Sequence, residues 1–245
     1  MNARRDVCKM KEHIIIRHTK EIPAILWGKR CDRVIIAVHG DLSNKEDTVI
    51  ALLAKNAIKK GYCVLSFDLP GHGERKDIEY DCNPSNAISD LQAVYMYAKS
   101  LNASISLFAC SIGAYFSLLA FHGWKIQQTF FLSPVVDMKG LIENMMMSFQ
   151  ISEQRLKEER IISLPIGKTL DWDYYDYVKQ HPVNFTWDSS IDILLGSKDT
   201  LTSVEKMRLF AEKYDASLTV MEGAEHYFHS NNQLRFFETW LKDYL

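Results

Sequence analysis

Short β-branched runs alternate along this chain with segments of helical period, and that alternation confines it to an α/β class with a mainly parallel sheet. The run at 33–39, RVIIAVH, is apolar almost throughout, as a central strand covered on both faces must be. Behind it Ile50, Leu53, Ala57 and Ile58 share one helical face, and Gly61 can close that helix. Further strands are expected at 62–68, 104–110, 127–132, 191–196 and 217–221, and two more at 13–19 and 22–28 form an antiparallel hairpin. Asn83 caps a helix with Pro84 at its first position and Ala87, Leu91, Val94 and Ala98 on its inner stripe. A helix spans 112–122. Thr202 with Glu205, and Ser230 with Gln233, have the spacing of capping boxes for the last two helices.

One stretch breaks the rhythm. More than fifty residues separate the strand ending near Leu132 from the one starting at Ile191, too many for a simple connection. Helical pieces at 138–150 and 152–160 and the aromatic cluster Trp172, Tyr174, Tyr175 and Tyr177 fall there. The expected organisation is therefore one core made of 1–136 and 191–245, with 137–190 inserted as a cap between the sixth and seventh strands. Met146 and Trp172 are the expected substrate contacts of that cap, because adaptable thioether and flat aromatic side chains suit apolar ligands.

A chain of 245 residues buries roughly three quarters of its extended surface, enough for a core without metal or disulfide staples. Lys and Arg (29) nearly balance Asp and Glu (31), which excludes bulk electrostatic attraction to nucleic acid. Cys8, Cys31, Cys63, Cys82 and Cys110 are scattered with no CxxC pair, so neither a metal site nor a redox motif is expected. The charged N-terminal stretch lacks the apolar core of a signal peptide, and no run is long enough to span a bilayer. The expectation is a soluble cytoplasmic protein that acts on a small molecule, with its oligomeric state open.

The chemistry centres on LFACSIG at 107–113, where an apolar strand runs into a helix. A nucleophile on so sharp a turn needs very small residues two positions before and after it. Ala109 and Gly113 satisfy this for Ser111, whereas Cys110 would place Phe108 and Ile112 at those positions. The turn also sets Ser111 at a helix N-terminus, whose free N–H groups can hold an oxyanion. Two candidate partners follow later strands: Asp199 in GSKD and His226 in GAEH.

With HG at His39-Gly40 and DLPGHGER at 68–75, these ordered segments resemble the α/β-hydrolase superfamily over nearly the whole chain. Within it they are similar to the small bacterial serine esterases of the cinnamoyl-esterase and monoglyceride-lipase kind. The resemblance implies Ser111 as nucleophile, His226 as base and Asp199 as orienting acid, with no cofactor and no metal. It places the oxyanion hole at the amides of Ile112 and Asp41, with the Asp41 carboxylate turned outward and Leu42 as a second candidate for that amide. The implied activity is carboxylic ester hydrolysis through an acyl-enzyme on Ser111. Thioesterase, amidase or peptidase and acyltransferase chemistry use the same three residues, and a non-catalytic ligand-binding member remains the alternative of another class.

Asp137 is the rival acid and His229 the rival base. His39 and His72 read as hydrogen-bonded turn residues, and Glu74 with Arg75 as a solvated or loop-bracing pair.

Overall fold

The computed structural model describes residues 11–101 and 103–245, so Cys8 and the start of the N-terminal stretch lie outside the described residues. β1 (Lys11–Ile16) and β2 (Ile22–Trp27) form the expected antiparallel hairpin. They extend a sheet of β3 (Arg33–Val38), β4 (Cys63–Phe67), β5 (Ser104–Cys110), β6 (Gln128–Leu132), β9 (Ser190–Gly196) and β10 (Ser217–Met221). The order is β1-β2-β4-β3-β5-β6-β9-β10, antiparallel at β1–β2 and β2–β4 and parallel elsewhere.

Because β3, β5, β9 and β10 run parallel, the loops that follow them leave from one edge, where open α/β sheets carry their sites. The sheet is covered twice. Val34, Ile36 and Val38 of β3 join one apolar cluster, and Ile35 and Ala37 join the other. This two-sided burial explains why RVIIAVH has no polar alternation.

Helix α1 (Thr48–Lys59) follows β3, with Asp47 accepting from the Val49 N–H as its cap. Asn83 caps α2 (Pro84–Ser100), and α3 (Ile112–Phe121) follows β5. The terminal helix α8 (Asn231–Tyr244) carries the expected Ser230–Gln233 capping box. Helix α7 (Val204–Tyr214) differs from expectation: Ser203, not Thr202, is its cap and accepts from the Lys206 N–H. Thr202 is already engaged, its amide on Asp199 Oδ1 at 2.9 Å and its hydroxyl on the Pro134 carbonyl at 3.1 Å.

Between β6 and β9 the chain builds α4 (Met138–Ser148), α5 (Glu153–Glu159), the two-stranded hairpin β7 (Ile161–Ser163) and β8 (Thr169–Asp171), and α6 (Trp172–Gln180). The hairpin and α6 occupy what the sequence shows only as an aromatic cluster. Among the described residues Cys31, Cys63, Cys82 and Cys110 are free thiols, and no helix is long and apolar enough to cross a membrane.

Candidate active site

Ser111 joins β5 to α3 with φ 50° and ψ −123°, a left-handed backbone that costs a non-glycine residue about 1–3 kcal/mol. Neighbouring backbone holds it there. Its N–H donates to the Leu132 carbonyl at 3.2 Å, and its carbonyl accepts from Ala114 and Val135, each at 3.1 Å.

Ser111 Oγ donates to His226 Nε2 at 2.8 Å, and His226 Nδ1 donates to Asp199 Oδ2 at 2.7 Å. The carboxylate can only accept, so it places the imidazole proton on Nδ1 and leaves the Nε2 lone pair facing the serine. Asp199 Oδ1 takes the amides of Leu201 (2.8 Å) and Thr202 (2.9 Å), which fixes the carboxylate while its side chain is shut away from solvent. The loops bearing Asp199 and His226 are tied to each other. Lys198 N–H donates to the Ala224 carbonyl at 2.8 Å and Gly223 N–H to Ser197 Oγ at 2.8 Å. Gly196 allows that approach, since a Cβ there would lie 2.3 Å from the Ala224 oxygen.

Neither rival stands in this relay. Asp137 caps α4, accepting from Gly140 N–H at 2.8 Å, and pairs with Lys206 at 2.7 Å. Burial pushes its carboxyl up, but Lys206 and the Gly140 N–H hold it below the usual carboxylate value. The Nδ1 of His229 faces the Tyr227 carbonyl at 2.9 Å, and its ring stacks on Tyr227.

The Ile112 amide is the first of α3 and has no partner within the helix. Gly40 lies against the serine, where a Cβ would come within 3.1 Å of Ser111 Cβ. The next amide, that of Asp41, donates to no other backbone carbonyl among the described residues. Leu42 N–H, the second candidate, is occupied, donating to Asp41 Oδ1 at 3.0 Å. The Asp41 carboxylate also accepts from His72 Nε2 at 3.2 Å and from Lys168 Nζ at 2.5 Å, and these cations hold it far below its ordinary value against the opposing effect of burial.

His39 and His72 are hydrogen-bonded turn residues, as expected, but in opposite charge states. His39 Nε2 accepts the Leu69 N–H at 3.0 Å, so its proton sits on Nδ1 and donates to the Gly40 carbonyl at 2.7 Å. Burial pushes this imidazole down to about 4. His72 meets acceptors at both nitrogens, the Pro70 carbonyl at 2.8 Å and Asp41. Burial opposes its charge, yet Asp41, the Cys82 thiol and the Pro70 carbonyl raise it to about 10. Glu74 and Arg75 do not pair with one another. Glu74 binds Lys45 at 2.6 Å, and the fully buried Arg75 binds Asp90 and the Asp68 carbonyl.

Two cavities meet at Ser111. The larger, about 460 Å³, is bounded by Leu42, Val49, Leu132, His226 and Phe228. The smaller, about 260 Å³, lies beneath the inserted segment between Ile112, Leu141, Met145, Leu170 and Tyr174. Met146 and Trp172 line neither; both are buried inside the insertion, and Lys157 lies over the Trp172 ring. From the same two helices it is Met145 and Tyr174 that border the smaller cavity. Lys168 and Cys82, also in the smaller wall, were not anticipated. The only available signal for Lys168 was the turn residue Gly167 before it.

No protein-family model and no curated protein sequence matches the chain. Among solved structures it is similar to ferulic-acid-bound Est1E from Butyrivibrio proteoclasticus, with a TM-score of 0.80 and 19% identity over 94% of this chain and 97% of that one. A putative hydrolase from Agrobacterium vitis S4 superposes with a TM-score of 0.77 at 16% identity, covering 95% and 97% of the two chains. The esterase Pf2001 from Pyrococcus furiosus does so at 0.71 and 20% identity, covering 98% and 92%. With this sheet order and the serine turn between β5 and α3, the chain has the α/β-hydrolase fold.

Proposed function

We propose that the protein is a serine hydrolase of carboxylic esters. The observation that carries this reading is the continuous relay from Ser111 Oγ through His226 to Asp199, at 2.8 and 2.7 Å, on a strained strand-to-helix turn. Ser111 attacks the ester carbonyl while His226 Nε2 takes its proton. The Ile112 and Asp41 amides stabilise the tetrahedral oxyanion, and the protonated His226 then delivers its proton to the leaving alcohol. Water activated by the same imidazole hydrolyses the acyl-enzyme.

The two cavities divide the substrate. The leaving oxygen must lie on the His226 side, and His226 borders only the larger cavity. The alcohol portion therefore occupies that cavity, and the acyl portion extends past Ile112 beneath the insertion, which acts as a cap. Leu141, Met145, Leu170 and Tyr174 there favour an apolar or aromatic acyl group.

Turnover of a p-nitrophenyl ester series, with fluorophosphonate labelling located by mass spectrometry, tests the reading. Hydrolysis with labelling at Ser111 is expected, and Ser111→Ala abolishes labelling and lowers kcat on the order of 10⁶-fold. Labelling at another residue, or a fully active Ala variant, overturns it.

A further inference from the structure

Asp41 is an unexpected residue beside an oxyanion, since its carboxylate carries the same sign as the charge that develops. It is held by partners from two separate parts of the chain. His72, on the loop after β4, donates to Oδ1, while Lys168 donates to Oδ2 from 127 positions away, in the turn between β7 and β8. With acceptors at both of its ring nitrogens His72 carries two protons, so it and Lys168 together offset the carboxylate's charge. The peptide that joins Gly40 to Asp41 is fixed as well, because His39 Nδ1–H holds its carbonyl at 2.7 Å. A trans peptide then turns the Asp41 N–H to the opposite side.

We propose that Lys168 is a positioning residue for ester hydrolysis: seated on Asp41, it offsets the carboxylate's opposing charge and holds the Asp41 amide as an oxyanion donor. The inserted segment thus completes the electrostatics of the site as well as enclosing the acyl group. This rests on the serine-hydrolase reading of Ser111. A role in stability alone is the competing account, and it is a weak one, because the Lys168 and Asp41 side chains are 46% and 38% exposed. Such pairs add little to folding. Their effect on a charge forming beside them is larger, since donors aimed at a developing oxyanion act mainly in the transition state.

The test is steady-state hydrolysis of p-nitrophenyl butyrate by the full chain, its Lys168→Met and Lys168→Arg variants, and Lys179→Met. Lys179 lies in the same insertion but pairs with Glu153. Lys168→Met is expected to lower kcat by about tenfold to a hundredfold with KM nearly unchanged, the size of effect a displaced donor produces. Lys168→Arg restores most of the loss, and Lys179→Met retains parental kinetics. Raising ionic strength should lower the parent's kcat toward that of Lys168→Met, by screening the half-exposed pair, while leaving the Met variant flat. Should Lys168→Met also unfold more readily, adding Asp41→Asn to it decides the matter, because removing the carboxylate's charge, which His72 alone is then left to offset, restores part of kcat only if charge was the problem. Parental kcat in Lys168→Met, or an Arg variant no better than Met, overturns the inference while Ser111 still takes a fluorophosphonate. A parent with neither turnover nor labelling at Ser111 overturns this inference together with the hydrolase reading.

Discussion

Gly113 lies so close to His39 that a Cβ on the glycine would sit 2.4 Å from the His39 carbonyl oxygen. The start of α3 and the loop after β3 therefore meet backbone to backbone. The two proposed oxyanion donors, Ile112 and Asp41, flank this contact in sequence, so no intervening side chain sets their separation. Val38 closes the same space, its Cγ1 lying 2.9 Å from the hypothetical atom.

Gly113→Ala must push the two segments apart, because the colliding atoms are backbone and a branched core side chain rather than a flexible end. The variant is expected to lose about 1–3 kcal/mol of stability, as overpacked sites do. Its kcat falls about a hundredfold or more, the loss typical of a missing oxyanion donor. Urea denaturation and ester kinetics on one preparation measure both. Unchanged kcat in a destabilised protein would show that the donors do not depend on this contact.

The choice between the two aspartates is also testable. Asp199→Asn loses the control of the His226 tautomer, and kcat should fall about 10⁴-fold, as in other serine triads. Asp137→Asn keeps a residue type suited to capping and loses only the exposed Lys206 pair, so kcat should stay within about twofold and stability within ~1 kcal/mol. The reverse ranking in steady-state kinetics would transfer the acid to Asp137.

His39 and His72 give the fold opposite pH dependences. His39 is neutral in the fold, pushed from 6.5 to about 4, so its contribution is present above 6.5 and is lost as pH falls toward 4. His72 is charged in the fold, raised from 6.5 to about 10, so its contribution is present below 6.5 and is lost as pH rises toward 10. The stability gap between parent and His39→Gln should shrink from pH 7 to 4, and that between parent and His72→Gln from pH 6 to 10. Urea midpoints across pH read this directly, and gaps that stay constant would mean that neither imidazole holds the charge state described.

The sequence exposes the sheet because its central strands are apolar on both faces, and it exposes Ser111 because small residues at 109 and 113 have a steric cause. The cap of α7 falls one residue beyond Thr202 for a tertiary reason: Thr202 has the right side chain, but Asp199 and Pro134 engage it. The hairpin β7–β8 escaped because three-residue strands are too short to show a period of two. Lys168 and its partner Asp41 come from distant segments, and no local pattern reports such a pairing. Residue type alone points to Met146 as readily as to its neighbours, but only the fold determines which methionine of the 145–147 run faces the cavity.

That last distinction separates lining from packing within the insertion. Met145 and Tyr174 are partly exposed and border the smaller cavity, whereas Met146 and Trp172 are buried in the insertion itself. Removing a wall residue changes what the cavity holds without opening the core. Met145→Ala and Tyr174→Ala should therefore alter the ratio of kcat/KM between short and long or aromatic acyl esters by roughly tenfold, the worth of about 1–3 kcal/mol of apolar contact. Their Tm values should remain near the parent's. Met146→Ala and Trp172→Ala leave voids among buried neighbours and should cost about 2–5 kcal/mol of stability. At temperatures where these variants are folded, acyl preference stays parental, because the cavity wall is intact. Thermal melts alongside an ester panel distinguish the pairs. If Met146→Ala or Trp172→Ala shifts acyl preference in a folded protein while Met145→Ala and Tyr174→Ala do not, the acyl group lies deeper in the insertion than the 260 Å³ cavity, and the division of substrate between the two cavities is wrong.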